Sequence, residues 1–176
     1  TITLTIEWLN KYPNNSWCEP MSYYLQLEWL IQYPDKPWNW KNISSNKNLT
    51  LEWLIQYPDK DWNWKNISSN NHLTLEWLEK FPDKPWSWGG NKIFGEDGIS
   101  KNPNLTLDWL KKYPDKPWNW CELFSNNNLT FEWLIQFPDN YWDLGLNIYR
   151  NPNFKLEWVE KLPNLPWNWS DVTNST

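Results

Sequence analysis

Seven acidic residues recur at one place in a repeating pattern: Glu7, Glu28, Glu52, Glu76, Asp108, Glu132 and Glu157. A pair of carboxylates can do acid–base work, for example on a glycosidic bond, when their environments push one to hold a proton and the other to lose it. These acids share one setting, each directly before a tryptophan, so they read as first-turn partners of helix dipoles rather than as an active site. His72 is the single histidine, in a turn position filled elsewhere by Asn48 and Asn128, which points to the surface. The sequence has no nucleophile–base constellation, glycine-rich phosphate loop or metal-ligand spacing. The GEDG stretch at 95–98 is too short for a calcium-binding EF-hand loop. No residue is singled out as catalytic, cofactor-binding or metal-ligating. No cofactor is implied, and the chain reads as a non-enzyme.

Eight asparagines head Asn-x-Ser/Thr triplets: Asn14, Asn42, Asn48, Asn66, Asn104, Asn128, Asn168 and Asn174. In a secreted protein these would be glycan acceptors. Asn48, Asn104 and Asn128 stand in the string N-L-T, where the asparagine makes a turn and the threonine starts a helix. The triplets then follow from repetition. Rows of aromatic rings could instead stack on sugars, but only if exposed.

Charge narrows the partners. The chain carries 16 basic and 21 acidic residues, a net charge of −5, and Arg150 is its single arginine. Binding nucleic acid needs clustered cations to neutralise phosphates, and no such cluster exists. No stretch approaches the ~18 apolar residues of a membrane span. Residues 1–9 lack the charged and apolar regions of a signal peptide. Cys18 and Cys121 lie four repeats apart. That puts them far beyond the ~7 Å reach of a disulfide, so both are expected as thiols.

The elements that would position these residues are set by tryptophan. Of 19 in all, seven are Trp8, Trp29, Trp53, Trp77, Trp109, Trp133 and Trp158. Each is followed nine residues later by another: Trp17, Trp38, Trp62, Trp86, Trp118, Trp142 and Trp167. Five of those have a third partner two residues on: Trp40, Trp64, Trp88, Trp120 and Trp169. The chain is thus a single array over residues 1–176, with units 1 to 7 at about 4–24, 25–48, 49–72, 73–104, 105–128, 129–153 and 154–176.

Unit 3, LTLEWLIQYPDKDWNWKNISSNNH, serves as the type. Thr50 suits an N-cap, and Leu49 and Leu54 have hydrophobic-staple spacing. Leu49, Trp53 and Tyr57 share one face. Pro58 ends this first helix after about two turns. Asp59 then reads as the cap of a second helix running through Trp62, Trp64 and Ile67, with proline tolerated in its first turn in four units (Pro37, Pro85, Pro117 and Pro166). Asparagines close it, since Asn tolerates a left-handed backbone. Two tryptophans two apart are roughly 200° apart on a helix, so both are buried only if neighbours flank the unit on both sides. W-N-W also alternates with period two, the mark of a strand; the proline and Asp before it fit a helix start better.

Units depart from the type at three places. Units 1 and 6 have Glu19 and Leu144 for the third tryptophan. Unit 1 is three residues short and contains Pro20. Unit 4 carries an eight-residue insertion within GGNKIFGEDGI at 89–99, expected as a surface loop.

The string NPNLTLDWLKKYPDKPWNW at 102–120, partly repeated as NPNFKLEW at 151–158, resembles the tryptophan-rich repeats of large double-stranded DNA viruses, giant viruses and iridoviruses among them. Nearly all the chain is covered, although other units replace the NPN turn by NKN, NNH or NNN. The resemblance implies a virus-encoded, virion-associated protein and supplies no activity. The expected fold is all-α, a right-handed α-solenoid of about seven short helix-turn-helix repeats of about 24 residues with a Trp-rich core. The expected function is non-catalytic: a structural or scaffolding component of a large DNA virus, a minor virion protein bridging capsid or other subunits, in the virion or host cytoplasm. The alternatives are an intracellular module binding host proteins and, less favoured, a glycan-binding surface protein.

Overall fold

The computed structural model describes Glu7, Lys11 and residues 23–90, 98–138 and 148–174. Cys18, Glu19, Trp8, Trp17, Trp142, Leu144 and most of the unit 4 insertion lie outside them. Among the described residues every regular element is helical and none is a strand. The fold is an all-α repeat.

Each of units 2 to 7 opens with a six-residue helix: Leu27–Gln32, Leu51–Gln56, Leu75–Lys80, Leu107–Lys112, Phe131–Gln136 and Leu156–Lys161. So short a helix is marginal alone, and burial of one face holds it. Leu49, Trp53 and Leu54 are buried, as are their counterparts Leu73, Trp77 and Leu78 in the next unit. Thr50 is the N-cap by position, in an extended conformation (φ −122°, ψ 168°), but its side chain makes no capping bond. The Trp53 N–H donates to the Thr50 backbone carbonyl instead, at 3.2 Å. What threonine contributes is a β-branched preference for the extended backbone that a helix entry needs.

The second helix differs from expectation. Asp59 does not cap it. Pro58 and Asp59 are the centre of a β-turn closed by Lys60 N–H donating to the Tyr57 carbonyl. Proline and aspartate suit such a turn as well as they suit a helix start. The chain then tightens further, with Trp62 N–H donating to the Lys60 carbonyl at 2.8 Å, an i to i+2 bond of the inverse γ-turn kind. Trp62 and Asn63 are therefore outside the helix, which spans Trp64–Ser68. Its cap is Asn63, whose side chain accepts the Asn66 N–H at 3.2 Å. Asn39 and Asn119 do the same for Trp40–Ile43 and Trp120–Phe124. The alternation in W-N-W thus reports extended backbone leading into a helix, with no sheet.

The asparagine turn also has another cause than the one expected. No non-glycine residue among those described has a positive φ. The Asn70 side chain accepts the His72 N–H at 2.7 Å, an Asx-turn in ordinary backbone geometry.

Among its described residues unit 4 has no counterpart of the second α-helix. Ile99 N–H and Ser100 N–H return to the Ser87 and Trp88 carbonyls, at 2.9 and 2.8 Å, so the insertion leaves and rejoins at one neck. The neck is two glycines wide: Gly90 has φ 70°, and a Cβ on Gly98 would sit 2.3 Å from the Gly90 nitrogen. A short 3-10 turn, Ile99–Lys101, follows.

Candidate interaction surface

The repeated residues are consumed by contacts between units. The first indole of each W-x-W pair turns inward and donates to the carbonyl at the end of its own first helix: Trp38 to Tyr33, Trp62 to Tyr57, Trp86 to Phe81, Trp118 to Tyr113 and Trp167 to Leu162, all within 2.7–2.9 Å. The second indole is the seat for the next unit. Trp40 lies against Trp62 edge-on at 5.0 Å and against Tyr57 at 5.2 Å, with the Lys60 ammonium 5.3 Å above its ring. Trp64 receives Phe81, Trp86 and Lys84 in the same way. Trp88 receives Tyr113, Trp118 and Lys116. Edge-on rings and a cation over an indole face follow the ring quadrupole, each adding about 0.5–1 kcal/mol. The lysine of the Pro-Asp-Lys turn is thereby explained. The pair does face both neighbours, but through a bent, extended link rather than round a helix.

Two polar ladders reinforce the rings. Buried asparagines donate from unit to unit: Asn70 Nδ2 to the Asn46 carbonyl, Asn102 to Asn70, Asn126 to Asn102 and Asn151 to Asn126, at 2.8–3.3 Å, and within unit 2 Asn46 donates to the Leu25 carbonyl at 3.1 Å. Each rung satisfies an amide donor and a backbone acceptor that burial would otherwise leave unpaired. The second ladder uses hydroxyls. Ser44, Ser68 and Ser100 accept the N–H groups of Asn63, Ser87 and Asn119 in the following units, at 2.8–2.9 Å. Tyr149 replaces serine there and its phenol oxygen accepts the Asn168 N–H at 2.7 Å. Burial pushes the Tyr149 phenol up from its ordinary value.

The glycosylation triplets fall into the same grammar. The Asn48 amide donates to the Leu25 carbonyl, that of Asn104 to Asn71 and Leu73, and that of Asn128 to Pro103 and Leu105. A sugar on these nitrogens would compete with the clamp between units. Asn42 and Asn66 sit inside short second helices, and the Asn66 amide donates to Ser45 Oγ at 2.8 Å.

What remains outside is the outward face of the first helices. The predicted acidic row Glu28, Glu52, Glu76, Asp108, Glu132 and Glu157 lies there, exposed and in the first turn of each helix. Glu7 is also exposed. Three residues further along each helix the type changes by unit: Ile31, Ile55, Glu79, Lys111, Ile135 and Glu160. The ion pairs Lys112–Glu79 and Lys111–Glu132 link units 4 to 5 and 5 to 6 across this face, and Glu157–Lys161 lies within unit 7. The hydrogen bond from Lys161 holds the Glu157 carboxyl below its usual value. The row is not brought together into one site.

His72 is exposed, as expected. It borders a groove of about 330 Å³ between units 2 and 3, lined by Ser44, Ser45, Asn46, Asn66, Asn70 and Asn71 among others. The groove is a seam of amides and hydroxyls already engaged in the ladders. Cys121 is half-buried and forms no disulfide. Among the described residues no three His, Cys, Asp or Glu side chains cluster as metal ligands would. No helix among them is long and apolar enough to cross a membrane. The buried asparagine and serine ladders escaped sequence reasoning, although Asn46, Asn70, Asn102, Asn126 and Asn151 share one register of the repeat.

Comparison with protein families, with curated proteins and with solved structures finds no match to this chain.

Proposed function

We propose that this chain is a non-catalytic scaffold that bridges partner proteins through the outward faces of its first helices. The observation that carries this reading is a division of labour. Tryptophan, asparagine and serine go into unit-to-unit contacts, while the outward position is Ile31 and Ile55 in units 2 and 3 but Glu79 in unit 4 and Lys111 in unit 5. A stack of units that touch mainly their neighbours offers regularly spaced contact sites along its length. The α-solenoid arrangement is part of this reading, supported by ladders that run from each described unit to the next.

The biological setting we propose rests on the resemblance of residues 102–120 to tryptophan-rich viral repeats: a minor virion component of a large DNA virus, binding capsid or other virion subunits. Mass spectrometry of purified particles should find the chain at substantial copy number, with cross-links from its outward lysines to another virion protein. Recovery from infected-cell lysate alone, absent from particles, would move the reading to a host-protein interaction module in the cytoplasm. A sugar-stacking surface has less support. The tryptophan rows are mostly buried, and Trp169, at 64% exposure, is the one indole among the exposed large apolar residues described.

A further inference from the structure

The outward face is not uniform. In units 2 and 3 the first helices have one sequence, LEWLIQ, and each presents a glutamate, an isoleucine and a glutamine outward: Glu28, Ile31 and Gln32, then Glu52, Ile55 and Gln56. Ile31 is 54% exposed and Ile55 48%. Among the described residues neither Glu28 nor Glu52 has an ion-pair partner, whereas on the same face Glu79 of unit 4 meets Lys112 and Glu132 of unit 6 meets Lys111. Units 2 and 3 therefore present two adjacent apolar side chains flanked by uncompensated negative charge. Ile135 has a similar exposure, but Glu132 beside it is paired with Lys111 and unit 7 presents Glu160 and Lys161.

We propose that this face of units 2 and 3 docks a basic amphipathic helix of a partner protein. The inference rests on the scaffold reading above and names the kind of partner its N-terminal part would hold. The spacing supports it: packed helices lie about 8–10 Å apart, so Ile31 and Ile55 repeat at about that interval. A helix laid across them rises 1.5 Å per residue and presents one apolar side chain every seven residues at about 10.5 Å, a close match. Lysine or arginine on either side of those two apolar residues would meet Glu28 and Glu52. A neutral helix would desolvate both carboxylates without pairing them, and an acidic one would set like charges against them; both cost free energy.

The probe is a fluorescein-labelled helical peptide with two leucines seven apart and lysines flanking them, titrated against the full chain by anisotropy. Saturable binding is expected, and it should weaken as salt rises. The double variant Glu28→Lys/Glu52→Lys should bind about tenfold more weakly or worse, and Ile31→Ser/Ile55→Ser likewise. Ile135→Ser should leave binding unchanged. All four exposed positions can be changed with little effect on folding, which a circular dichroism melt checks. Equal affinity for the wild type and the double variants, equal binding of a glutamate-flanked control peptide, or no saturable binding would each overturn the proposal. Cross-links in particles that map to units 4 to 7 would then leave the scaffold reading standing without this dock.

Discussion

Units 3 and 4 reach the same contacts by different paths. Unit 3 arrives through a helix, Trp64–Ser68, capped by Asn63. Unit 4 has Ser87 in place of that cap, no second α-helix among its described residues, and Gly90 and Gly98 in close approach on either side of the insertion. Yet Ile99 takes the place of Ile67, both fully buried. Ser100 takes that of Ser68, both donating to the carbonyl of the second tryptophan and accepting an N–H from the next unit. Asn102 takes that of Asn70 on the amide ladder. The lesson is that the second helix is one way of delivering three side chains. The unit is defined by its ring seat, its hydroxyl rung and its amide rung, and extra chain is accommodated between them where these are restored.

If that is right, losses in the shared contacts should cost the two units alike. Trp53→Ala and Trp77→Ala remove buried indoles at equivalent places, and each should destabilise by about 3–5 kcal/mol in urea unfolding. A large difference between them would mean the units are not equivalent. Asn70→Ala and Asn102→Ala come next. Each strips a donor from one buried carbonyl and an acceptor from one part-buried N–H, and the two should cost similar amounts, about 1–3 kcal/mol.

Other changes should separate the units. Gly98→Ala drives a methyl into the backbone of Gly90 and should cost about 1–3 kcal/mol. Asn66→Ala, in the stretch of unit 3 that the insertion replaces, loses one exposed bond to Ser45 and should stay within about 0.5 kcal/mol. Thermal melts of the two variants side by side decide this.

A last effect concerns the hydroxyl rung at Tyr149 and is read through pH. Burial raises its phenol, as it does those of Tyr57 and Tyr113. The folded chain thus holds these protons more tightly than the unfolded chain. Their contribution is complete below the unfolded tyrosine value near pH 10 and is lost as pH rises through the folded values. Stability should be flat with respect to these groups below about pH 10 and fall above it. Tyr149→Phe should shallow that fall and, by leaving the Asn168 N–H without an acceptor, cost about 1–2 kcal/mol at neutral pH.

The sequence carried the outline of this fold and left the wiring unread. For unit 3 the first helix is legible to within a residue, because the proline after Tyr57 and the threonine before Leu51 are strong stops. The second helix was misplaced because Pro-Asp opens a β-turn as readily as a helix, and only the tertiary contact of Lys60 with Trp40 distinguishes them. The roles of Asn46, Asn70 and Asn102 were hidden for a similar reason. Their turn was legible, but a rung such as Asn70 or Asn102 makes needs the carbonyl of another unit, 24–32 residues away in sequence. The acidic row was legible as first-turn residues. That Glu28 and Glu52 lack cations while Glu79 and Glu132 have them depends on which side chains meet across units, which spacing alone does not give.

The central claim is that the tryptophans join units and do not form a binding surface. Iodide quenching of the intrinsic fluorescence tests it most directly. The account predicts a blue-shifted emission that iodide quenches only in minor part, with a share of that part removed by Trp169→Phe. Emission near that of tryptophan in water, quenched throughout by iodide while the chain is still folded, would contradict it.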